Sequence, residues 1–279
     1  MCLLCNSRRG QWSSRRAFLL ASGALASAPV LAQVDVGPRS GFRKLVSADQ
    51  IEAAATLQYA KMTAQARAKR MLLPDGHPQV RRLRAIAERM IPYTAQWNDG
   101  ARQWRWEINL IDDRDTINAF CMPGGKIVFY TGILEQLELS DDEVGMVMGH
   151  EMAHALREHA RERIGKTQAT GIGLSLMSQL LGLGDLGNVA ADMGTKLLTL
   201  QFSRADESEA DLVGLELAAR SGYSPHAGVT LWRKMAVASG NKGNLAFLST
   251  HPTGPQRIRE LEANEPKVQA LYERARRGG

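Results

Sequence analysis

The sequence predicts an α+β fold, mostly helical with one small sheet. Two observations carry that reading. Helix-opening signals recur along the chain, as capping boxes at Ser47/Gln50 and Ser140/Glu143 and as prolines at first helical positions, Pro78 and Pro255. Strand signals are confined to two neighbouring runs, "WRWEINLID" and "KIVFY", and no internal repeat points to a solenoid.

Taken in order, Ser47 to Leu73 is rich in alanine and long side chains and reads as the first helix. Pro74-Asp75-Gly76 makes a turn, and a second helix runs from Pro78 to about Ile91. Alternation around Ile108 and Leu110 marks a strand. A Pro-Gly-Gly turn then precedes a second strand from Lys126 to Tyr130. The helix opened by Ser140 carries "GHEMAHALREHA". An apolar, glycine-rich insert follows over residues 165–200, containing "GIGLSLMSQLLGLGDLGN". Asp185 interrupts it, and its unbroken part is too short to span a bilayer. It reads as a helical hairpin or flap beside the site, with a peripheral membrane contact as the alternative. Helices resume at Gln201 to Arg220, at about Pro225 to Ala238, and from Pro255 onward.

Composition narrows the classes of function. The chain has 279 residues, 44% hydrophobic and 23% charged, with a net charge of +6. Its first 32 residues carry four arginines and no acid, so residues 33–279 hold 31 basic and 29 acidic groups. That near-balance leaves no basic excess for nucleic acid. The N-terminal segment, "SSRRAFLLASGALASAPVLAQ", has a charged start, a short apolar middle and small residues at Val30-Leu31-Ala32. Arg15 and Arg16 give it the form of a twin-arginine export signal over residues 1–32, and the expected location is periplasmic. Its apolar run of about 15 residues falls short of the ~20 that cross a bilayer. Only Cys121 lies beyond the presumed cut, which excludes an internal disulfide in residues 33–279 and argues against a lipoprotein anchor.

The chemistry concentrates in His150-Glu151-Met152-Ala153-His154. At about 100° per residue, His150 and His154 stand about 40° apart, so both imidazoles reach one ion. Met148, Met152, Ala155 and Leu156 form an apolar back, and Glu151 is rotated to the side, where a carboxylate can hold a water. This is the H-E-x-x-H arrangement of zinc hydrolases. The metzincin continuation is absent, since Arg157 and Ala160 stand where glycine and histidine are needed. His159 faces away from His150 on a continuous helix and reads as a surface or packing residue. A third ligand is therefore expected from another helix. In "SRADESEADLVGLELAAR", Glu207 and Asp211 share a face with Ala210, Gly214 and Ala218, small residues that let helices approach closely. Glu207 fits as the ligand and Asp211 as the acceptor behind a ligand histidine. Asp206, Glu209, Glu216 and Arg220 fall on the other face, which reads as solvated.

Four ordered motifs, "NAFCMPGGKIVFYTGIL", "GHEMAHALREHARER", "SRADESEADLVG" and "STHPTGPQRI", resemble the HtpX-like group of gluzincin zinc metallopeptidases, with its BepA, LoiP and Oma-type branches. The resemblance implies a zincin-type fold over residues 33–279, with the small sheet beside the H-E-x-x-H helix. It implies one zinc ion held by His150, His154 and Glu207, with Glu151 as general base. Asp211 would support the ligands, and His251 and Arg257 would lie near the site. His251 would either cap the metal or donate to an oxyanion. Gly124, Gly125, Lys126, Ile127 and Val128 are the expected strand against which an extended substrate pairs. The implied activity is hydrolysis of peptide bonds in misfolded or damaged envelope proteins, with polypeptide substrates and outer-membrane assembly partners. The rival reading is a zinc-stabilised chaperone or assembly factor that uses the same cleft without turnover.

Overall fold

The computed structural model describes residues 34–169, 197, 200–240, 246–252 and 254–278. The expected export signal and most of the 165–200 insert lie outside the described residues. Helix α1 (Ala48–Ala68) opens on Ser47, whose side chain accepts from the Gln50 amide at 3.4 Å. It stops five residues before the expected Leu73. Arg70 turns the chain at φ 59°, and Leu72 then forms an antiparallel bridge with Ile111, while the Leu73 amide donates to Leu110. Backbone pairing with a strand here overrides helix propensity. Helix α2 (Pro78–Met90) starts at Pro78 as expected and buries Val80, Leu83, Ile86, Ala87 and Met90.

Three strands follow: β1 (Glu107–Ile111), β2 (Ala119–Met122) and β3 (Lys126–Tyr130). The sheet order is β1-β3-β2, with β1 parallel and β2 antiparallel to β3. β2 was not expected. Its signal is the Gly124-Gly125 turn, both residues at positive φ, which joins "AFCM" to "KIVFY" as a hairpin.

A short helix α3 (Thr131–Gln136) leads into α4 (Asp141–Leu156), whose Ser140/Glu143 capping box is formed in both directions. Every residue of α4 from Glu143 to Leu156 is buried, so this helix runs through the middle of the molecule. Helix α5 (His159–Ala169) takes up the first residues of the expected insert. Helix α6 (Arg204–Arg220) carries a second capping box, Ser203/Asp206. Helices α7 (Ala227–Gly240), α8 (Ala246–Thr250) and α9 (Pro255–Gly278) complete the described elements.

Helices α4 and α6 cross with their backbones in contact. A Cβ on Gly149 would lie 2.8 Å from the Gly214 carbonyl oxygen, and one on Gly214 would lie 2.7 Å from the His150 nitrogen. The small residues on α6 are thus what brings two functional faces together. Gly214→Ala is expected to lower stability by about 1–3 kcal/mol, the range for overpacking a tight contact. Denaturant midpoints of the two proteins measure this, and an unchanged midpoint would show that the helices can part freely.

Candidate metal centre

Two helices supply the core of the site. From α4 come His150 and His154, and from α6 come Glu207 and Asp211, all with at most 3% of their surface exposed. His251, just past α8, and Arg257, in the first turn of α9, close it from the C-terminal side. His150, His154, Glu207 and His251 each offer a donor atom within 4.8 Å of the others. The His150 and His154 Nε2 atoms are 3.1 Å apart. Glu207 Oε2 is 3.6 Å from His150 Nε2, and Glu207 Oε1 is 3.4 Å from His154 Nε2. A tetrahedral zinc with bonds of about 2.0–2.1 Å requires neighbouring donors about 3.3 Å apart. The residues present fit that ion, and two imidazoles with one carboxylate are donors suited to zinc.

The proton positions agree. Asp211 accepts from Arg257 Nε at 2.6 Å, Arg257 Nη2 at 2.7 Å and Trp232 Nε1 at 3.2 Å. Burial opposes its ionisation, but the Arg257 guanidinium outweighs burial and, with His150, holds its pKa down at about 2. An ionised Asp211 can only accept, so His150 Nδ1, 3.0 Å away, carries its proton and leaves Nε2 free for a metal. Arg257 is fixed in turn by the Trp232 ring, 3.7 Å below its Cζ, and by the Pro252 carbonyl. Its Nη1 lies 2.6 Å from Glu207 Oε2, close in charge but outside hydrogen-bond geometry. Burial, together with His150, keeps His154 neutral, well below its ordinary pKa.

Glu151 borders this cluster. Burial raises its pKa, although His251, His150 and the Cys121 amide favour the carboxylate. Its Oε1 is buried without a hydrogen-bond partner, 3.5 Å from His251 Nε2. His251 stacks on Phe247 and places Nδ1 3.0 Å from Glu207 Oε1 and 3.3 Å from His150 Nε2. A cleft opens beside Glu151, His154 and His251. Ile51, Trp104, Phe120, Met122 and Phe202 give it apolar walls.

Some expectations are corrected. Of the expected substrate strand, Gly124 and Gly125 form the hairpin turn, and Lys126, Ile127 and Val128 lie in β3, the middle strand, which pairs on both sides and offers no free edge. Lys126 instead bonds Glu107 and the Arg105 carbonyl, and Ile127 and Val128 are fully buried. Among the described residues β1 and β2 are the outer strands of the sheet, and β2 is the one that lines the cleft. The face of α6 opposite Glu207 is not solvated. Asp206 is buried as the helix cap, Glu216 is buried against Arg220, and Glu209 bonds Arg157. Of the two readings of His159, surface or packing, burial favours the second: it is 1% exposed, with Nδ1 3.0 Å from His154 Nδ1.

Comparison with known proteins agrees with this geometry. The model of peptidase family M48 matches residues 77–265. The mitochondrial metalloendopeptidase OMA1 of Schizosaccharomyces pombe is 36% identical over 204 residues, covering 72% of this chain and 58% of that protein. Its namesake in Arabidopsis thaliana is 40% identical over 167 residues, 60% of this chain and 33% of that protein. The metalloprotease LoiP of Escherichia coli is 30% identical over 156 residues, 52% of this chain and 57% of that protein. The chain spans less than two thirds of the length of each. These relatives overturn the periplasmic location, since those matched at 36% and 40% identity are mitochondrial by name and bacterial LoiP matches at 30%. The physical reason is that an arginine- and serine-containing, acid-free N-terminal stretch is also the composition of an organelle transit segment. Among the described residues, no helix is long and apolar enough to cross a membrane.

Asp211→Asn keeps the volume but removes the charge that fixes His150. It should weaken zinc binding about 10–100-fold, the usual cost of losing such a partner. Competition with a chromophoric chelator reads the affinity, and wild-type affinity in the variant would show that His150 is oriented by other contacts.

Proposed function

The chain belongs to peptidase family M48, and from that premise and the geometry we propose that it is a zinc-dependent endopeptidase acting on unfolded or damaged polypeptides. The observation that carries the reading is the juxtaposition of the four-donor cluster with an unpartnered, buried Glu151 Oε1. His150, His154 and Glu207 would hold the ion. Bound there, zinc supplies a Lewis acid that acidifies water and polarises a peptide carbonyl. Glu151 Oε1 takes the proton from the attacking water and returns it to the leaving amine. A chaperone has no use for a carboxylate kept buried and unsatisfied at that position, so this atom favours turnover over binding alone.

The edge of β2 is suited to hold the substrate. The Tyr130 amide donates to Asn118, so Phe120 and Met122 exchange hydrogen bonds with β3, while Ala119 and Cys121 point theirs outward. The Cys121 amide already reaches Glu151, which supports this edge as the substrate's partner. Backbone pairing reads little sequence, and the apolar cleft walls would favour side chains that folded proteins bury. Such a site selects by unfolding rather than by sequence. Glu151→Gln should retain zinc and fold while peptide cleavage falls by several orders of magnitude, and chelation of wild-type protein should abolish cleavage reversibly. Comparable turnover by purified Glu151→Gln would sink this mechanism.

His251 is best read as a cap. Its Nδ1 belongs to the donor set and sits against Glu207, so it occupies space that a substrate carbonyl needs. His251→Ala should therefore raise cleavage of casein and of the protein itself. A lower rate with zinc still bound would instead assign His251 to oxyanion stabilisation.

A further inference from the structure

We infer that His159 is a positioning residue for the metal centre: its Nδ1 accepts the His154 Nδ1 proton and so fixes the tautomer and orientation that present His154 Nε2 to the ion. The inference rests on the zinc reading given above. It starts from the main chain. Helix α4 ends at Leu156, and Glu158 turns the chain at φ 63°, a conformation uncommon outside glycine. Three arginines hold that turn through the Glu158 carboxylate: Arg39 at 3.1 Å, Arg43 at 2.9 Å, and Arg161. The break rotates His159 back under His154, where a continuous helix would have carried it away.

The side chains then form an ordered set of contacts. His154 Nε2 faces His150 and Glu207, so it must be unprotonated to ligate, and its proton belongs on Nδ1. His159 Nδ1 lies 3.0 Å from His154 Nδ1, in position to accept that proton. His159 then carries its own proton on Nε2, which lies 3.5 Å from Glu209 Oε2 but outside hydrogen-bond geometry. Glu209 is anchored by Arg157, whose Nη2 donates to the Gly37 carbonyl at 2.8 Å. Phe202 stacks on His154 at 4.0 Å between centroids and limits its ring to this plane. The two ligand histidines are thus backed differently. His150 leans on an anionic carboxylate and His154 on a neutral imidazole, so the second is held in direction with less added charge.

The test compares His159→Gln, whose amide oxygen can still accept, with His159→Leu, which fills the space without an acceptor. Zinc affinity is read by competition with a chromophoric chelator on the full chain, and apo stability by thermal midpoint. The expected result is a loss of about 10–100-fold in zinc affinity for His159→Leu, with most of it restored in His159→Gln. Equal affinity in His159→Leu and wild type overturns the proposal, as does equal loss in both variants. Long-range ¹⁵N–¹H spectra of zinc-loaded wild-type protein supply a reading independent of either variant. They should show neutral His159 protonated on Nε2, and protonation on Nδ1 overturns the proposal. Failure of the wild-type protein itself to bind zinc would remove the metallopeptidase reading, a result distinct from a failure of His159 alone.

Discussion

The backbone contact of Gly149 with Gly214 is the constraint on which the site depends. Neither position has room for a Cβ, so α4 and α6 meet backbone to backbone at this crossing. Gly149 precedes the first ligand histidine, and Gly214 follows Asp211 by three residues. That closeness lets a short aspartate reach His150 Nδ1 and a glutamate one turn earlier reach the Nε2 atoms of both histidines. With ordinary side chains at the crossing, helices lie about 8–10 Å apart. Asp211 would then fall short of its partner.

Charge balance is the second constraint. Glu151, Glu207 and Asp211 are each at most 2% exposed, and Arg257 is the cation that contacts two of them. Were all three carboxylates ionised, the one guanidinium would leave an excess of negative charge in the interior, and despite burial Glu151 and Glu207 raise the pKa of His251 beside them. Buried charges are tolerated only when paired or coordinated. A divalent cation between His150, His154 and Glu207 closes that balance, whereas a helix interface built for packing alone would have no reason to keep the carboxylates. The raised pKa of Glu151 follows from the same burial. It suits the proton-transfer role proposed for Glu151.

What the sequence made legible was local or periodic. The Ser140 capping box, the Pro78 start and the limits of β3 follow from a few adjacent residues. The pairing of His150 and His154, and of Glu207 and Asp211, follows from helical period within unbroken helices. Periodicity failed where the helix broke. His159 was placed on a continuous wheel, but the positive φ at Glu158 depends on arginines far away in sequence, Arg39 and Arg43. The acidic face of α6 misled for a related reason. A wheel shows which residues share a side but not what covers it, and here Arg157 and the chain around Val34 do so. Strand order is likewise non-local. "KIVFY" has the stronger β composition because it is buried between two strands, and that burial is what disqualifies it as the edge a substrate can join.

The same reasoning assigns a structural task to residues 34–46, a stretch with no motif of its own. The Val34 amide donates to buried Glu216 on α6 at 3.0 Å, the Gly37 carbonyl accepts from Arg157, and Arg39 and Arg43 grip Glu158. The turn at Gly41–Leu45 lies directly on α5, where a Cβ on Gly165 would come within 2.1 Å of the Phe42 carbonyl oxygen. This segment thus spans α6, the break after α4, and α5, the three places that fix Glu209, Glu158 and His159. A left-handed glutamate is costly by itself. It persists because several partners over-determine it, and most of those partners come from here. The geometry of the second ligand histidine is therefore set partly by residues more than a hundred positions earlier, through contacts that neither a motif nor a helical period can express.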